Sequence, residues 1–116
     1  MTPVDELKAA AEKLRALAAE ASEGPWTANQ WGNVETAAYE EVAEVWPLQA
    51  KPDVNVTYIA AMHPGVGAAL ATLLERQAKQ AAEIEQYLGD QFQDGALDQD
   101  VHDALAVARQ ILGTQP

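Results

Sequence analysis

The chain has 116 residues, 18 acidic and seven basic, for a formal net charge of -11; the length suits one domain, and the charge repels phosphate backbones and anionic lipid surfaces, so direct nucleic-acid binding is not expected. Zero cysteines exclude disulfides, thiol catalysis and Cys-ligated zinc. No apolar run approaches the ~20 residues that span a bilayer, and the opening residues lack the basic flank and apolar stretch of a secretion signal, so no membrane association and a cytoplasmic location are expected.

Thr2 is placed to cap a helix with Pro3 at its first position and Asp5 and Glu6 in the first turn, where carboxylates oppose the positive end of the helix dipole. The helix should run from Pro3 to Ser22. Its apolar stripe is Leu7, Ala10 or Ala11, Leu14, Leu17 or Ala18, and Ala21, and Gly24-Pro25 stops it. From Trp26 to Trp46 the helical period gives way to Trp, Thr, Val and Tyr punctuated by Gly32-Asn33, which predicts two or three short antiparallel strands. The clearest alternation sets Val34, Thr36 and Ala38 against Glu35 and Ala37. A second extended run follows at Val42 to Trp46. A lone hairpin is marginal in water, so this sheet should lie on a helical face with the tryptophans as anchors.

After a loop from Pro47 to Pro52, Asp53 can cap a short helix through Met62 that buries Val56, Ile59 and Tyr58. Proline is tolerated in the first turn, so Pro64 should start a longer helix that ends at Leu88 before Gly89. Along it Leu70, Leu74, Gln77, Ala81, Ile84 and Leu88 alternate four- and three-residue spacings, a coiled-coil-like seam that requires a covering helix. Gln77 within that seam either points to solvent or fixes register across an interface. Gly89 to Ala96 reads as a turn-like linker. A last helix, capped by Asp98 or Asp100, should bury Val101, Leu105, Ala108 and Ile111 or Leu112 and end at Gly113.

Glu23-Gly24-Pro25-Trp26 after an acidic, alanine-rich helix, together with Tyr58-Ile59-Ala60-Ala61-Met62-His63-Pro64, resembles small phage and prophage accessory proteins, the ead-like early proteins of lambdoid phages and their relatives in actinobacterial phages. In that family a Gly-Pro-Trp turn leads into a short sheet, and the Tyr-Ile-Ala segment ends at a polar residue and a proline before a Leu/Ala-rich helix. The resemblance covers roughly Ala10 to Arg76 and supplies no catalytic residue to carry over. His63 stands where the family pattern has asparagine, a departure that costs little where the role is helix capping.

Other chemistry finds little purchase. Asp98, Asp100, His102 and Asp103 offer ligand types suited to a divalent metal, but helical spacing turns Asp100 and Asp103 away from the face that Asp98 and His102 share; capping is the better account, and no metal or cofactor is expected. His63 lacks a local partner for general-base work, and Ser22, the only serine, sits in no nucleophile elbow. Gly65 and Gly67 follow no strand and precede no P-loop lysine. Glu75 and Lys79 read as a solvated pair one turn apart, and Glu83 and Glu85 lie farther along the same helix. Trp26, Trp31, Tyr39 and Trp46 could form a partner-binding patch, but core packing is favoured, because few other large side chains are available to cover the sheet.

The sequence therefore predicts an α+β, mainly helical single domain spanning residues 1–116, with its sheet near residues 25–47 and its helices 53–113 ending in a long helix and a C-terminal helix packed as a hairpin. Alanine supplies much of the apolar content, so Leu70, Ile84 and Leu88 need extra cover and a homo-oligomer, most simply a dimer, is expected. The functional expectation is a non-enzymatic phage accessory protein acting through protein contacts, including a host protein partner. The candidate surface is Trp26, Trp31, Tyr39, Trp46, Tyr58 and His63. Two alternatives are a small-ligand or nucleotide-binding protein, or weak hydrolase, with its site at a subunit interface, and an acidic decoy for a host nucleic-acid-binding protein. A pocket that gathers two of the seven cations would favour the ligand reading.

Overall fold

In the computed structural model, which describes residues 1–45, 52–88 and 99–113, the first helix, α1 (Pro3–Glu20), opens on a reciprocal cap. Asp5 N donates to Thr2 Oγ1 at 3.1 Å while Thr2 N donates to Asp5 Oδ2 at 3.3 Å, so two otherwise unpaired donors are satisfied. Three short strands follow: β1 (Trp26–Ala28), β2 (Asn33–Thr36) and β3 (Glu41–Glu44). Then come α2 (Pro52–Ala61), α3 (Pro64–Leu88) and α4 (Gln99–Leu112). The fold is α+β and mainly helical, as the sequence predicts. Asp53, expected to cap α2, instead falls inside its first turn, one residue past the observed start at Pro52, and Asp98, a predicted cap of α4, lies outside the described residues, as do residues 47–51 of the loop and the 89–96 linker.

The sheet is an antiparallel meander in the order β1-β2-β3. Trp26 pairs with Thr36 and Val34 with both Ala28 and Ala43, and a bulge between Val34 and Glu35 shifts the second ladder by one residue. Both turns have explicit causes. Asn29 Oδ1 accepts from Trp31 N and Asn33 N, and Gly32 takes a left-handed φ of 83°, where a Cβ would approach Val45 O to 2.9 Å. In the second turn Thr36 Oγ1 accepts from Ala38 N and Glu40 N, and Tyr39 holds a φ of 64°. That region disfavours an L side chain, so this exposed tyrosine carries local strain on the order of 1 kcal/mol.

By internal contacts the chain divides into two units, Met1–Ala16 with Ala69–Pro116, and Leu17–Ala68. Each holds its own buried cluster, where length alone led to the expectation of one core. In the first, Val4, Leu7, Ala10 and Ala11 of α1 pack with Ala71, Leu74, Ala78 and Ala81 of α3 and with Val101, Ala104, Leu105 and Ala108 of α4. Leu7, Leu74 and Leu105 are the large members, and alanines between them allow close helix approach. Arg109 grips Glu6 with Nε–Oε2 at 2.7 Å and Nη2–Oε1 at 3.3 Å, a bidentate, partly buried tie between α4 and α1. Lys13 Nζ donates to the Ile111 carbonyl at 2.9 Å.

The α3 seam is corrected in detail. Leu74 and Ala81 are fully buried, but the stripe runs through Ala71 and Ala78, with Leu70, Gln77 and Ile84 only partly buried; the side chain of Leu88 lies outside the described residues. A seam of strict three-four spacing serves one partner helix, whereas α3 is packed by two, α1 and α4, which widens and rotates its buried face. Gln77 does not simply point outward: its Oε1 is buried and has no hydrogen-bond partner among the described residues. On α1 the stripe holds at Leu7, Ala10, Ala11 and Leu14 and continues at the partly buried Ala18 instead of the exposed Leu17, while Ala21, past the end of the helix, is exposed.

In the second unit Val34 and Val45 pack with Val56 and Ala60 of α2, which lies on β1 and β2; Trp26, Val42, Ala43 and Ile59 border this cluster. The predicted inward face of β2 is met at Val34 and Thr36, while Ala38 sits exposed in the following turn.

Candidate functional site

The two motifs that carry the phage-protein resemblance meet in space. Gly24 is joined to Pro25 by a cis peptide, and Trp26 anchors the strand entry by donating Nε1–H to the Ser22 carbonyl at 2.9 Å. His63 interrupts the helical run between α2 and α3. Its Nδ1 accepts from Gly65 N at 3.1 Å, and its carbonyl accepts from Val66 N and Gly67 N. An N-cap that serves the second helical residue is the contact expected of a short polar side chain, here made by an imidazole nitrogen. The ring lies against two glycines: a Cβ on Gly24 would come within 2.6 Å of His63 Nδ1, and one on Gly65 within 2.6 Å of Cε1. Glycine at both positions is therefore a packing requirement. Beside this junction a cleft of about 410 Å³ is lined by Ser22, Gly24, Thr36 and Glu40, with Ser22 Oγ donating to Glu40 Oε1 at 3.0 Å.

The aromatic candidates do not gather there. Trp26 borders the sheet cluster, but Trp31 and Tyr39 are 74% and 84% exposed, which corrects the expectation that they are core; Trp46 lies outside the described residues. Both exposed residues sit in turns, where the side chain projects past the end of the ladder. Tyr58, expected to be buried, is also exposed. It belongs to a line at four-residue spacing, Val54 and Tyr58 on α2 and Met62 in the turn just after it, 63%, 67% and 48% exposed. The opposite side of α2 carries Val56, Ile59 and Ala60 against the sheet, so this helix is apolar on both faces. From Val54 to Leu74 the sequence contains no Asp, Glu, Lys or Arg.

The charged residues form a second arrangement that sequence reasoning missed. Between α1 and α3 runs a cleft of about 450 Å³ lined by Lys8, Glu12, Arg15, Glu75 and Lys79 above alanines 11, 78 and 82. Arg15 Nε donates to Glu75 Oε1 at 3.1 Å, its Nη2 also contacts that carboxylate, and Nη2 donates to Thr72 Oγ1 at 3.1 Å. The ion pair that forms is thus Arg15 with Glu75, in place of the Glu75–Lys79 pair expected along the helix. One-turn spacing of Lys8 with Glu12 and of Glu75 with Lys79 was the available signal; that the two rows face each other follows only from how the helices pack.

Comparison with protein-family models, with curated proteins and with solved structures gives no match to this chain. Among the described residues no three His, Asp or Glu side chains converge as a metal site, and no single helix is long and apolar enough to cross a membrane.

Proposed function

We propose that this protein is a non-enzymatic accessory protein of the phage type its motifs resemble, acting through protein–protein contacts, and that two copies meet on the outer face of α2. The observation that carries this reading is the exposed line Val54, Tyr58 and Met62 on a helix whose other face already covers the sheet. A surface helix ordinarily confines its apolar residues to one stripe. A second stripe gains about 25 cal/mol for each Å² removed from water, which favours a partner.

The partner is a second copy, and charge decides where the two would meet. Two chains that each carry -11 repel, so the contact of least electrostatic cost is a surface without ionised groups, and α2 after Asp53 provides one. A two-fold contact would also place Tyr58 of each copy against the same apolar patch, the arrangement most homodimers use. The α3 ridge needs no second copy at Leu74 or Ala81, since α1 and α4 supply their neighbours.

Light scattering over a concentration series, on the native chain and on a Tyr58→Ser/Met62→Ser variant whose circular dichroism matches it, tests the reading. The expected result is a dimer for the native chain and at least tenfold weaker association for the variant. A native chain that stays monomeric throughout, or a dimer indifferent to both substitutions, removes it.

A further inference from the structure

The cleft between α1 and α3 has a composition unlike the rest of the chain. Three of the seven basic residues, Lys8, Arg15 and Lys79, line it against two carboxylates, Glu12 and Glu75, leaving one net positive charge in a chain of -11. Arg15 is committed to Glu75 and Thr72. Lys8 and Lys79, on opposite helices, make no ion pair among the described residues. Their ammonium groups, on flexible stems, are free to converge on one anion.

Beneath them the floor is made of methyl groups. Ala11 and Ala78 are each 2% exposed and Ala82 is partly buried, so the trough is apolar at its base and cationic at its rim. The residues of its base are all alanine, and its volume of about 450 Å³ lies in the range of small-molecule sites, roughly 300–1,000 Å³. An apolar base with a few placed charges selects a ligand that is itself divided, with a hydrocarbon or aromatic body and one charged head. The sign of the rim selects the head.

We infer that the α1–α3 cleft is a binding site for a small amphipathic organic anion, whose apolar body lies on Ala11, Ala78 and Ala82 and whose carboxylate, sulfonate or phosphate head is held between Lys8 and Lys79. The acidic surface elsewhere repels an anion, which favours this face for such a ligand. The site is independent of the α2 contact, since it shares no residue with it.

The test is a titration of the ¹⁵N-labelled full chain with octanoate, with octanol as its neutral counterpart and inorganic phosphate as a head without a body, followed by amide shifts. Octanoate should move the amides of residues 8–15 and 75–82, with octanol and phosphate each at least tenfold weaker. Lys8→Gln/Lys79→Gln, a change at two exposed positions, should weaken octanoate at least tenfold and leave octanol unchanged; Ala78→Leu, which fills the floor, should abolish both. Equal binding of octanoate and octanol, shifts centred on residues 54–62, no shifts at millimolar octanoate, or octanoate affinity unchanged in the double lysine variant would each overturn the inference. So would light scattering in which Ala78→Leu converts a dimer to a monomer, because the cleft would then be filled by a helix of a second copy.

Discussion

The two buried clusters are filled by different side chains, and neither unit encloses all its large ones, since Leu73 and Tyr87 of the helical unit are 49% and 90% exposed. In the helical unit Leu7, Leu74 and Leu105 are almost completely enclosed and the spaces between them are filled by alanine, whereas in the sheet unit the enclosed residues are Val34, Val45, Val56 and Ala60, while Trp31, Tyr39 and Tyr58 stay largely in water. Size and hydrophobicity alone do not decide burial. A leucine at helical period is carried onto a face with neighbours from two other helices; a tryptophan in the turn between two strands stays 74% exposed.

Substitutions sharpen this contrast. Leu74→Ala removes the largest fully enclosed side chain of α3 and should cost about 3 kcal/mol, read as a lower urea midpoint with unchanged slope, because it leaves a cavity in a cluster whose members are held on three helices. Gly24→Ala should cost about 2 kcal/mol by pushing the His63 ring from its place between two glycines, and it should also disturb the amide of Gly65, whose hydrogen bond the ring accepts. Trp31→Ala, which deletes far more apolar surface than either, should change stability by less than about 0.5 kcal/mol. A Trp31→Ala loss as large as that of Leu74→Ala would break the comparison, and with it the account of the sheet turns.

Much of the helical frame was legible beforehand because helices announce themselves locally. Thr2 caps α1 as expected, Pro64 and Leu88 bound α3 as expected, and Val101, Leu105 and Ala108 are buried on α4. The Val34–Thr36 alternation also held. The misplacements occur where more than one partner competes: α3 buries Ala71 and Ala78 beside Leu74 and Ala81, since it faces two helices, and Glu75 turns from Lys79 to Arg15, since a guanidinium on α1 offers several donors to one carboxylate.

The candidate surfaces were only half legible. Val54, Tyr58 and Met62 share one helical face by spacing, yet whether that face or the one bearing Val56 and Ala60 meets the sheet depends on how α2 is set on β1 and β2, and both sides are apolar enough for either choice. The cleft between α1 and α3 carried no sequence signature beyond ordinary one-turn charge pairs.

What the amino-acid order determined by itself is the set of helices, their caps and breaks, and the strand region, because period, capping chemistry and proline act over a few neighbouring residues. Tertiary structure alone decided which apolar stripe is covered, that His63 packs between Gly24 and Gly65, and that Lys8, Arg15 and Lys79 gather over three alanines. Those outcomes depend on residues distant in sequence arriving at one place, and side-chain contact is a property of that arrival, not of any local pattern.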